Sequence, residues 1–219
     1  LKSVGSDLTG GRIPHTRPML SIENKYEEQD LIDWYSELPL GSDVCLEPKF
    51  DGISVSLTYR DRLLVRALTR GDGKSGEDIT PQAAAVKAIP KTLPSTLPAE
   101  LEVRGELVMK NSTLQRLNQE AEAKGGKVYS STRNLTGGTM KLKDTSLIPD
   151  REIQIRPWDV LGDDTVLPDS GVERLRLIAQ AGFPEPLGTV VDNGVAVGCL
   201  DVRRRPTSRL STASPLICR

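Results

Sequence analysis

Glu47-Pro48-Lys49-Phe50-Asp51-Gly52-Ile53-Ser54-Val55-Ser56-Leu57-Thr58-Tyr59-Arg60 is the stretch on which the fold turns. From Ile53 onward, Ile53, Val55, Leu57 and Tyr59 alternate with Ser54, Ser56 and Thr58, the period of a strand with one apolar face. Strands are expected over residues 44 to 48, 51 to 60 and 62 to 70, with Arg60-Asp61 at the reversal between the last two. An antiparallel hairpin therefore follows Lys49 directly. On extended backbone Glu47, Lys49 and Asp51 share one face. An amine attacks only after it gives up its proton, and neighbouring carboxylates bear on when it does. Lys49 is a candidate nucleophile for covalent catalysis; an ordinary Asp-Gly turn is the alternative reading of the same residues.

Outward from this stretch the elements mix. Upstream, Leu31, Ile32, Trp34, Tyr35 and Leu38 recur at helical spacing behind an acidic first turn, which predicts a helix over Glu27 to Leu38. Downstream, Thr80-Pro81 has the chemistry of a helix start, and that helix should stop before Pro90. A strand is expected from Leu101 to Met109, then a helix capped by Ser112 that runs through Ala123 and ends at Gly125-Gly126. A strand over 152 to 161 and a helix from Ser170 to Ala181 follow. This hairpin-rich order argues an α+β fold with mixed, largely antiparallel sheets and flanking helices, rather than a doubly wound parallel sheet.

Composition bounds the function. With 37% hydrophobic and 27% charged residues and a net charge of −1, the chain carries no global basic field, so any nucleic-acid contact must come from local patches. No apolar run is long enough to span a bilayer and no signal-peptide core follows Leu1, so a cytoplasmic location without membrane attachment is expected. Cys45, Cys199 and Cys218 are too scattered for a disulfide framework or a zinc site. His15 is the only histidine, which excludes a multi-histidine metal site. Gly73-Lys74-Ser75 is no phosphate loop, because Leu68 stands where its first glycine is required.

Further motifs lie in register with the lysine: Thr69-Arg70-Gly71-Asp72-Gly73, Gly76-Glu77-Asp78-Ile79-Thr80, Leu101-Glu102-Val103-Arg104-Gly105-Glu106 and Arg133-Asn134. Together with Lys49-Phe50-Asp51-Gly52 they resemble the adenylation (nucleotidyltransferase) domain of bacterial NAD-dependent DNA ligases, continuously from Pro18 to Gly162. The resemblance implies the nucleotidyltransferase/ATP-grasp-like fold, NAD as adenylyl donor, Mg2+ as cofactor, and nicked double-stranded DNA as the partner of a monomer acting in replication and repair. It implies that Lys49 accepts AMP and that Asp51 supports its protonation state. By the same resemblance Asp51 and Glu106 help hold the metal. Ser21, Ile22 and Glu47 read the adenine side, Arg70 contacts ribose or phosphate, Glu106 binds the ribose hydroxyls, and Arg133 and Lys141 contact phosphates or the DNA strand.

Each residue has a plainer alternative. Asp51 caps a turn, Glu47 pairs with a surface cation, Arg70 pairs with Asp72, Glu106 pairs with Arg104, and Arg133 and Lys141 are solvated charges. At the level of the chain the alternatives are a nucleotide-binding remnant without catalysis and an ATP-dependent enzyme of the same superfamily.

The expected organisation is an extended lead-in over 1–17, a partial adenylation domain over 18–192 and a disordered basic tail over 193–219, whose arginines include Arg203-Arg204-Arg205. Against the family pattern the chain is expected to be truncated at both ends, incomplete at the C-terminus, and weak or inactive alone.

Overall fold

The computed structural model describes residues 11–21, 26–39, 44–184, 189–191 and 216–218. The alternating stretch becomes the middle of its main sheet. Strand β1 is Ile13–Pro14, helix α1 Glu28–Ser36, β2 Val44–Pro48, β3 Ile53–Arg60, β4 Leu63–Thr69 and β5 Ser75–Gly76. Helix α2 is Thr80–Ala85, β6 Leu101–Val108, α3 Asn111–Ala123, α4 Thr132–Thr139, β7 Gln154–Leu161, α5 Gly171–Gln180, β8 Thr189–Val191 and β9 Leu216–Cys218. Single 3-10 turns at Thr145–Leu147 and Pro149–Arg151 precede β7.

The main sheet has the order β4-β3-β6-β7. All its neighbours are antiparallel. A smaller sheet has the order β8-β2-β9, and β1 pairs with β5. The fold is α+β with antiparallel sheets and flanking helices, as expected from the sequence. Val55, Leu57 and Tyr59 are fully buried. They join Val103 and Leu107 of β6, Ala83 of α2, Leu135 of α4, Ile178 of α5 and Phe183 in one core. Tyr59 meets the Phe183 ring edge-on at 6.3 Å and donates its hydroxyl to the Pro90 carbonyl at 2.8 Å. Burial pushes the Tyr59 phenol well above its ordinary pKa.

Several boundaries move. The β3–β4 reversal falls at Asp61-Arg62, both in the left-handed region at φ 49° and 65°, the backbone of a tight hairpin turn. Thr80 is not the cap of α2 but its first residue; its hydroxyl instead accepts from the Ala67 amide at 2.9 Å and ties the helix to β4. Likewise α3 begins at Asn111, one residue before the expected cap Ser112.

Strand pairing also occurs at the ends. Within the expected lead-in, β1 pairs Ile13 with Gly76 and Pro14 with Ser75. Within the expected tail, Leu216–Cys218 pair with Leu46–Pro48 of β2. The other residues expected in that tail, and Ile22, lie outside the described residues. Cys45 forms no disulfide. Among the described residues no helix is long and apolar enough to cross a membrane.

Candidate functional site

Lys49 lies in the short link between β2 and β3, so it stands where the smaller sheet passes into the main one. The link is fixed at Gly52. A side-chain carbon there would sit 2.1 Å from the Leu107 carbonyl oxygen and 2.9 Å from Val108 Cγ1, so only glycine lets the chain pass this close to β6. Phe50 lies under the Arg156 guanidinium, 5.4 Å from its ring centre. This anchors the residue between Lys49 and Asp51 to β7.

The β3–β6 register sets Ser54 opposite Glu106, and the Ser54 hydroxyl donates to Glu106 Oε2 at 2.8 Å. Burial raises the Glu106 pKa. The Ser54 hydroxyl, the Arg133 charge, the Gly52 amide and the Lys49 charge all oppose that shift. Glu106 therefore sits in a half-buried place where two cations and two hydrogen-bond donors favour its carboxylate form.

Arg133 stands in the first turn of α4, whose start is capped by Ser131 accepting from the Asn134 amide at 3.2 Å. Its guanidinium reaches Asp51 at 3.0 Å. Both partners are more than half exposed, so the pair adds little to stability and leaves Arg133 available to a ligand. Lys141 reaches Glu77 at 3.5 Å.

Arg70 ends the β4 hairpin. Its amide donates to the Ser54 carbonyl at 3.1 Å, and its Nη2 donates to Ser21 Oγ at 2.8 Å. Its Nε is buried without a hydrogen-bond partner among the described residues. Arg70, Arg133, Lys141 and Arg12 line one cavity of about 370 Å³, together with Gly52, Ser54 and Glu77. The cavity is cationic and is bounded by the β3 link. It suits a phosphorylated ligand of nucleotide size.

The expected residues divide as follows. Arg70, Arg133 and Lys141 meet in the cavity. Ser21 joins through Arg70, Asp51 through Arg133 and Glu106 through Ser54, while the Lys49 charge bears on Glu106. Glu47 is buried on β2 of the smaller sheet and is not among the lining residues.

Two of the plainer pairings are replaced. Arg104 pairs with Glu102 at 2.7 Å, which leaves Glu106 to Ser54. Asp72 pairs with Arg12 at 3.1 Å while Arg70 turns to Ser21. Asp72 also accepts from the Ser75 and Lys74 amides at 2.8 and 2.9 Å. Chiefly for that reason its pKa is held down at about 2.

Arg12, Ser54 and Glu77 are site residues to which the sequence assigned no role. Glu77 stood within a quoted motif and Ser54 within the strand pattern, whereas Arg12 sits among glycines without any local signal. For a metal, the described residues contain no cluster of three or more His, Cys, Asp or Glu side chains. Asp51 and Glu106 suit a hard cation only in the manner of Mg2+, which takes one or two carboxylates and completes its shell with water and substrate phosphate.

A family model described as the NAD-dependent DNA ligase adenylation domain matches residues 10–196. A DNA ligase of Bacteroides fragilis is 37% identical over 188 residues, which cover 82% of this chain and 28% of that protein. A DNA ligase of Hahella chejuensis is 37% identical over 201 residues, covering 88% and 29%. The chain thus spans a little over a quarter of the length of the curated relatives it matches. In fold, it resembles the solved structure Pmar-Lig_Pre. with a TM-score of 0.51 at 11% identity, covering 86% of this chain and 40% of that one.

Proposed function

The chain belongs to the NAD-dependent DNA ligase adenylation domain family, and from that membership we propose that Lys49 is the nucleophile that takes an adenylyl group from NAD. The Lys49 amine attacks the α-phosphorus. A nitrogen–phosphorus bond forms, the bond from that phosphorus to the bridging oxygen breaks, and nicotinamide mononucleotide leaves with the electron pair. AMP, held on the lysine as a phosphoramidate, then passes to the 5′-phosphate at a nick in double-stranded DNA. The adjacent 3′-hydroxyl displaces AMP and seals the strand.

The observation that carries this reading is the joining of Lys49, Glu106, Asp51 and Arg133 around the Gly52 link at the edge of a cationic cavity. Catalysis here is mostly placement and charge. Arg70, Arg133 and Lys141 neutralise phosphate oxygens, with Arg12 beside them. Ser21, Ile22 and Glu47 read the adenine, and Glu106 receives the ribose hydroxyls. Asp51 holds Arg133 in place before the ligand arrives. A bound Mg2+, held by Asp51 and Glu106 together with the phosphates, would supply further neutralisation of charge on the transferring group.

Within this reading the adenylation domain occupies residues 18–192, and residues 11–17 of the lead-in lie against it through the pairing of Ile13 and Pro14 with Gly76 and Ser75. The protein works as a cytoplasmic monomer in DNA replication and repair.

The test is intact-mass measurement of the full polypeptide that carries these residues, incubated with magnesium and either NAD or ATP. One adenylyl group added from NAD, and lost in Lys49→Ala, is the expected result. An adduct formed only from ATP, or one retained by Lys49→Ala, overturns the reading.

A further inference from the structure

Arg104 is almost entirely buried, and its guanidinium is spent in an unusual way. Its Nε donates to Glu102 Oε1 at 2.7 Å, and the same oxygen accepts from Ser56 Oγ at 2.8 Å. Its other two nitrogens do not fork onto a carboxylate, the arrangement that pairs Arg most strongly. Nη1 donates instead to the Pro18 carbonyl at 2.9 Å and Nη2 to the Arg17 carbonyl. A buried arginine on β6 therefore grips the backbone of a segment 86 and 87 residues earlier in the chain.

That segment is a strap over the polar face of the main sheet. Its other side is fastened to the Arg70 turn: the His15 amide donates to the Lys74 carbonyl at 2.9 Å and the Met19 amide to the Gly73 carbonyl at 2.8 Å. The His15 ring meets the Arg70 carbonyl at 3.1 Å. Just beyond the gripped carbonyls, Ser21 accepts from Arg70 Nη2, and Arg70 lines the cavity. We propose that Arg104 is a positioning residue of the nucleotide site, holding the 17–21 strap so that Ser21 and Arg70 meet in the geometry that binds the adenylyl donor. This rests on the adenylation reading above. Arg104 touches no reacting atom; it acts through the strap.

Arg104→Lys keeps a cation beside Glu102 but replaces the planar fork with a single ammonium that cannot span both carbonyls as the arginine does. In the full polypeptide the NAD concentration giving half-maximal adduct formation should rise about tenfold, the worth of one charge-assisted hydrogen bond, while the maximal rate stays within about twofold. Hydrogen exchange at the His15 and Met19 amides should quicken, with the β3–β6 ladder unchanged.

Unchanged NAD dependence, or unchanged exchange at Met19, overturns the proposal even if the variant melts earlier. Should Arg104→Lys fail to fold, Ser21→Ala lies at an exposed position and leaves the core intact. A rise of about threefold in half-saturating NAD is expected there. No rise overturns the proposal. A wild-type protein that forms no NAD adduct sinks the adenylation reading together with this one, whereas wild-type labelling with an unaltered Arg104→Lys response sinks this one alone.

Discussion

Replacing Gly52 by alanine tests the link between fold and site most directly. An added carbon 2.1 Å from the Leu107 carbonyl oxygen is more than an ångström inside normal contact. The obstacle is backbone, which cannot swing aside as a flexible side chain would. Either β3 lifts off β6 or the Lys49 link moves. The adjacent pairs Ile53 with Leu107 and Ser54 with Glu106 then lose one or two ladder bonds at about 1 kcal/mol each, on top of an overpacking cost of roughly 1–3 kcal/mol. A total near 3 kcal/mol corresponds to a melting drop of about 6–12 °C for a domain of this size.

Thermal unfolding followed by circular dichroism measures this, with further glycines as internal controls. Gly171→Ala meets nothing within 4 Å and has no left-handed backbone, so it should melt within about 2 °C of wild type. Gly125→Ala also meets nothing but sits at φ 65°, which isolates backbone strain at roughly 1 kcal/mol. Gly52→Ala must be the worst of the three and must lose adduct formation even at temperatures where it remains folded. If it melts no lower than Gly125→Ala, or labels normally, then β3 and β6 do not pack at Gly52 as described, and Lys49 is not set by this junction.

Asp72 gives a prediction in pH. Its carboxyl, bonded by the Ser75 and Lys74 amides, sits at about 2 rather than the ordinary 3.8. A group depressed on folding contributes stability that is complete above the unfolded value and is lost as pH falls through the folded one. The Asp72 contribution should therefore disappear between pH 3.8 and about 2, and Asp72→Asn should flatten the acid limb of the stability curve over that window alone. Arg133→Ala, which breaks an ion pair between largely exposed groups, should change stability by less than about 1 kcal/mol while slowing adenylation at least tenfold. A stability loss as large as that of Gly52→Ala would mean that Arg133 is structural.

Much of this was legible because burial imposes a period. β2, β3, β4, β6 and β7 and helices α1 and α5 carry apolar residues at strand or helix spacing, helices α2 and α3 are marked by the residues at their ends, and each is found within a few residues of its expected place. Helix α4 is hidden because Gly137 and Gly138 are poor helix formers and only Leu135, Thr136 and Thr139 are buried on it. The strap is hidden for another reason. It is held through its own carbonyls and amides, by Arg104, Gly73 and Lys74, and backbone groups have no signature in the sequence. Arg12, one residue before β1, lines the cavity and pairs with Asp72.

The alternation in β3 also means something other than core against solvent. Ser54 is half-buried and Ser56 is 3% exposed. The strap covers the face that a simple reading would leave wet. Both serines donate at 2.8 Å to carboxylates of β6, Ser54 to Glu106 and Ser56 to Glu102. A buried carboxylate without donors would take up a proton or destabilise the fold, and an apolar residue at either position would remove a donor. The small hydroxyl side chains thus let β6 keep two acids on its polar face: Glu102 paired inward to Arg104, and Glu106 turned towards Arg133 and Lys49. One face of β3 builds the core and the other supports the site, so Lys49, at the head of that strand, is placed by both.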